Sequence, residues 1–125
     1  MRLARVYLLL SLLPGGAALH GAGPDYQREI KPLLEHKCYA CHGGLKQKAG
    51  LRLDTVSNIR KGGRSGSAIK VGDPSGSLLI QRIRESNASK RMPQEAGALT
   101  SAEIALLENW IKAGALAPKR EVEQT

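Results

Sequence analysis

The chain has 125 residues, a formal net charge of +8, two cysteines, one tryptophan and no phenylalanine. That length leaves room for one domain, and a core built from so few large side chains would be thin unless a bound apolar group added to it. The charge would suit nucleic acid, but the scarcity of aromatics and the lack of any recognition motif argue against that class.

Arg2 and Arg5 precede the apolar run 6–13, and Pro14-Gly15-Gly16-Ala17-Ala18 follows with small residues suited to signal peptidase. This is the layout of a secretory signal. The run is far shorter than the ~20 residues needed to span a bilayer; an uncleaved anchor or a buried first helix is the competing reading. Cleavage after Ala18 is expected, which divides the chain into a signal (1–18), a domain (19–116) and a charged tail (117–125). The product would be exported, periplasmic in a bacterium, with no transmembrane anchor after cleavage. Cleavage removes two arginines and no acid, so the charge falls to about +6. A redox partner with an acidic face fits that balance, as do ordinary solvated lysines.

Residues 25–37 read as the first helix. Tyr26, Ile30, Leu33 and Leu34 form an apolar stripe, and Pro32 either restarts or kinks the helix. His36 lies two residues before Cys38 and points to a different side of a helix, so it reads as a surface residue.

Cys38-Tyr39-Ala40-Cys41-His42 follows. C-x-x-C-H is the attachment signature of a c-type haem. On a helix Cys38 and Cys41 share a face with His42 beside them, so two thiols can meet the two vinyl groups on one haem edge. His42 can then offer an imidazole nitrogen to the iron as the proximal ligand. A thioredoxin-like dithiol would want a βαβ context. A structural zinc site would want a second ligand pair, and a plain disulfide would leave His42 accidental.

Beyond the motif, Gly50-Leu51-Arg52-Leu53-Asp54 alternates as a short extended piece, with Asp54 capping a brief helix over 55–61 that Gly62-Gly63 ends. Arg60 and Arg64 are candidates to meet a haem propionate. Asp73 and Pro74 open a helix as cap and first residue, with Leu78, Leu79, Arg82 and Ile83 on it to about Glu85. The loop after it delivers Arg91-Met92-Pro93. With Met1 gone, Met92 would be the mature chain's only methionine, and its soft thioether suits haem iron as the distal ligand. Filling core space is the plainer role for it. In the last helix Thr100 and Glu103 make a capping box. Ile104, Leu107 and Ile111 make the buried stripe there, with Leu106 and Trp110 on its flank, and Gly114 stops the helix. The tail 117–125 offers its backbone no evident partner.

Residues 26–115 resemble the cytochrome c domain abundant in planctomycetes and related bacteria, a relative of class I c-type cytochromes. The matching runs include Ile30-Lys31-Pro32-Leu33-Leu34, Cys38 to Gly43, Gly50-Leu51-Arg52-Leu53-Asp54, Lys61-Gly62-Gly63, Gly72-Asp73-Pro74, Ser77-Leu78-Leu79-Ile80, Met92-Pro93 and Leu107 to Ala115. The resemblance implies a small all-α, class I cytochrome c-like haem domain, with short helices and long loops around one covalent haem c. Its first and last helices cross near the haem, with Tyr26 and Trp110 as candidates for that crossing. By position it implies Cys38 and Cys41 as thioether residues, with His42 and Met92 as the iron ligands. Gln94 and Val71 stand where the family often has proline.

The leading function is a one-electron carrier rather than an enzyme, since such a protein needs no catalytic acid, base or nucleophile. A haem-containing docking or gas-sensing module on a larger periplasmic enzyme is the alternative. A haem peroxidase would require an open iron position.

Overall fold

The computed structural model describes residues 23–125, so the expected signal over 1–18 lies outside the described residues. Five short α-helices and no strand occur among the described residues, as expected of a small all-α haem domain.

The first expected helix is present but divided near Pro32. A wide π turn over Tyr26–Ile30 precedes α1 (Lys31–Lys37), with Pro32 at the start of the α-helical part. Proline lacks an N–H and its ring crowds the carbonyl four residues back, so a widened turn relieves the ladder there. Asp25 caps the entry by accepting from Arg28 N at 2.8 Å, while Glu29 accepts from Asp25 N at 2.6 Å. After a break at Cys38 comes α2 (Tyr39–His42), a single turn.

Two caps differ from expectation. The third helix, α3 (Val56–Lys61), is capped by Thr55 rather than Asp54: the Thr55 hydroxyl accepts from Asn58 N at 3.0 Å. Gly62 ends it at φ 72°, a left-handed conformation that glycine takes without a Cβ penalty. Asp73 does not cap α4 (Leu78–Ile83). Its carboxylate turns back on its own loop, accepting from Gly76 N at 3.0 Å, because an aspartate can bond backbone just ahead of it as readily as a helix end. Ser77 precedes α4, its buried hydroxyl accepting from Lys70 N at 2.9 Å and donating to Asp73 O at 2.8 Å.

The last helix, α5 (Ser101–Lys112), carries the expected capping box: Glu103 N donates to Thr100 Oγ1 at 3.2 Å and Thr100 N to Glu103 Oε2 at 2.9 Å. Its stripe is centred differently from the expectation. Leu107, Trp110 and Ile111 are almost wholly buried, while Ile104 and Leu106 are only partly so. Trp110 lies inside because it meets the π turn at the crossing of the two ends of the domain. The Tyr26 and Trp110 rings are 5.6 Å apart at 31°, within the range of favourable aromatic pairs, and Trp110 Nε1 donates to Leu116 O at 3.2 Å. Ile30, Leu34, Ile59 and Ile80 complete the centre of the core.

The tail was expected to find no backbone partner, yet it lies along α3. Glu121 accepts from Val56 N and Ser57 N, placing negative charge on the free N–H groups of a helix start. Gln124 N donates to Asp54 Oδ2 at 2.7 Å and Gln124 O accepts from Arg52 Nη2 at 3.1 Å. Burial pushes the Asp54 carboxyl up, but hydrogen bonds from Arg52, Gln124 N and Asn58 outweigh it and bring it down to about 2.

An acid-dependent stability follows. A carboxyl depressed on folding contributes stability above its unfolded pKa of roughly 3.9 and loses it as pH falls through the folded value, about 2 kcal/mol in all. Denaturant unfolding at pH 5, 3 and 2 should show this loss in the parent, and Asp54→Asn should flatten it. Equal pH slopes for the two proteins would show that Asp54 is not the group responsible.

Candidate functional site

Chain order sets up the first half of the site. Cys38 N donates to Leu34 O at 2.7 Å as α1 ends, and His42 N donates to Cys38 O at 2.9 Å as α2 turns. The motif is thus a helical turn that presents Cys38, Cys41 and His42 to one cavity of about 460 Å³. A volume of that order suits a bound cofactor, which pockets of ~300–1,000 Å³ commonly take. Leu33 and Leu34 from α1, Leu51 and Leu53 after the motif, and Leu79 and Ile83 from α4 give it apolar walls.

Met92 reaches the same cavity from the loop between α4 and α5. Its backbone is held there: Met92 N donates to Arg82 O at 2.9 Å, tying the loop to the end of α4. Gln94 lines the cavity as well, while Val71 is half exposed away from it. His36 is exposed and apart from the cavity, as its spacing from Cys38 implies.

The electrostatics do not suit thiol exchange. Burial pushes the Cys38 thiol up to about 12, with the neighbouring Cys41 adding to the rise and Lys37 opposing it. A reactive dithiol would have a lowered thiol pKa. Both cysteines are free, and no group of three or more metal-ligating side chains occurs among the described residues.

Burial also holds the His42 imidazole below the ordinary histidine value, against an opposing pull from the backbone of Leu51 and Lys48. It is therefore the neutral base a metal ligand must be. His42 Nδ1 is buried and has no hydrogen-bond partner among the described residues. An unpaired imidazole, two free thiols and a thioether on one apolar cavity fit a haem. These residues would hold it, and the group itself would supply redox-active iron.

Residues 38–95 match the family described as Planctomycete cytochrome C. Over that stretch the chain is similar to a planctomycete-type cytochrome c domain. No curated protein and no solved structure matches it. The matched stretch opens on the first cysteine of the motif and runs just past Met92 and Pro93. The matched family implies covalent haem c, and the two cysteines that such attachment takes are present as Cys38 and Cys41.

The structure separates the two arginines considered for a propionate. Arg60 donates to Ala115 O at 3.1 Å at the end of α5, away from the cavity, whereas Arg64 is on the cavity wall. Lys37 and Arg82 also line the cavity, and neither stands out as a site residue in the sequence. Their signal is positional. Lys37 immediately precedes the motif, and Arg82 sits three and four residues after Leu79 and Leu78, on the same helix face.

Proposed function

We propose that this cytochrome c domain is an exported electron carrier that holds one haem through Cys38 and Cys41, with His42 and Met92 as iron ligands. The observation that carries the reading is that His42 and Met92, far apart in sequence, line the same apolar cavity as both thiols. When bound, haem supplies reversible one-electron chemistry at its iron.

The chain's own residues do the rest. Cys38 and Cys41 fix the group to the motif turn, and His42 lends a neutral imidazole. Met92 lends a thioether from a loop anchored on α4, and the leucines and Ile83 keep water from the ring. Burial and a methionine ligand both bear on the potential, methionine raising it relative to two histidines. Export rests on the sequence of residues 1–18; among the described residues no helix is long and apolar enough to cross a membrane.

The exposed cations Lys48, Arg64, Arg82 and Lys90 contribute to the cavity lining, with Glu95 as an acidic neighbour, whereas Lys46 and Arg91 do not line it. Positive charge there favours a redox partner with an acidic face through faster encounter.

Ascorbate reduction followed by carbon monoxide tests the function. An unchanged visible spectrum is expected for a six-coordinate carrier, and a shifted one would indicate an open site of the sensing or peroxidase kind. In the same preparation, electron exchange with an acidic partner should slow as salt rises, because charge reaches only ~8 Å near physiological ionic strength. A rate independent of salt would remove the acidic partner from the proposal.

A further inference from the structure

We propose that Gln124 is a positioning residue that clamps the loop carrying His42, an inference resting on the reading of His42 as the haem's ligand. Three hydrogen bonds converge on this one residue. Its side-chain oxygen accepts from Gly44 N at 2.8 Å, its backbone N donates to Asp54 Oδ2 at 2.7 Å, and its backbone O accepts from Arg52 Nη2 at 3.1 Å. Gln124 thus bridges two segments that are both tied to His42. The first, Gly43-Gly44, continues directly from the histidine. The second, 52–54, grips the histidine's own carbonyl, with Leu53 N donating to His42 O at 2.8 Å.

The approach is close because both loop residues are glycines. A Cβ on Gly43 would meet the Gln124 side-chain oxygen, and one on Gly44 its carbonyl oxygen. The anchoring ends on a group that is itself well fixed, since Asp54 is 1% exposed and also accepts from Arg52 Nε at 3.1 Å and Asn58 Nδ2 at 3.1 Å. Glu121, accepting from Val56 N and Ser57 N, holds the strand of tail leading to Gln124 against α3. A ligand loop locked at both of these segments keeps the imidazole oriented and the cavity's histidine side closed to water. Such outer contacts tune a metal's ligand field and potential.

The test uses the haem-loaded full chain, with Gln124→Leu to remove the acceptor at similar size and Gln124→Glu to restore it. In Gln124→Leu, amide hydrogen exchange should quicken about fivefold at Gly44, for a lost bond worth roughly 1 kcal/mol. It should also quicken at Leu53, whose amide touches no tail atom, and the reduction potential should shift downward as water reaches the histidine side. Gln124→Glu should return all three toward the parent. Gly44→Ala, which displaces the Gln124 carbonyl, should reproduce the Leu53 and potential changes. Faster exchange confined to Gly44, with Leu53 and the potential unmoved, would reduce the tail to a surface strap and overturn the proposal. So would no change anywhere. Haem retention after acid–acetone extraction is read on the same samples: its failure in the parent would sink the haem reading, while the Leu53 exchange still decides the clamp.

Discussion

Replacing Cys38 and Cys41 together by alanine should leave no haem on the polypeptide after acid–acetone extraction, whereas the parent chain, matured in a strain with haem-attachment machinery, should keep all of it. Acid–acetone breaks iron–histidine and iron–methionine bonds and unfolds the cavity, so only covalent links survive it. The two thiols on the cavity wall are the groups that can form those links. Burial pushes the Cys38 thiol up to about 12, so it is a poor nucleophile for thiol exchange. Each single substitution should still retain haem through the other thioether, while the double variant should lose it completely. Full extraction of haem from the unmutated protein would refute covalent attachment.

Met92→Ala should abolish the weak far-red sulfur-to-iron charge-transfer band of the ferric protein and open the reduced iron to carbon monoxide. Met92 lines the cavity, is partly buried against the core, and is held by its amide to Arg82 O. Removing its side chain takes away a soft ligand without releasing the loop. The backbone tether survives in the alanine variant, so the change should be spectroscopic rather than a general unfolding, and the potential should fall with loss of the thioether. His36 is no substitute ligand, being exposed and apart from the cavity. Absence of the band from the parent at neutral pH, or its survival in Met92→Ala, would show that methionine is not the ligand and leave it as core filler.

Patterns that act over a few residues were legible without coordinates. The capping box of Thr100 and Glu103, the glycine stop after Lys61 and the motif turn at Cys38 to His42 all appear as read, because each is decided by neighbours within one turn of backbone. The caps at Asp54 and Asp73 were misplaced for the complementary reason. Local rules say that an aspartate can cap, but not whether a competing partner will claim it. Asp54 is taken by Arg52, Asn58 and Gln124, and Asp73 by Gly76.

By itself the sequence determined the helical class and the candidacy of Cys38 and Cys41 for covalent haem and of His42 and Met92 as its ligands, since residue type and short spacing carry that information. Only the tertiary structure decided that Met92 and the motif face one cavity, that Trp110 sits at the centre of its helix's buried face, that Arg64 rather than Arg60 is on the cavity wall, and that the tail is fastened beside His42. Each of these is a contact between segments distant in the chain. Such contacts are fixed by which apolar faces can be buried together and which buried polar groups must then find partners, and no window of sequence contains both sides of that condition.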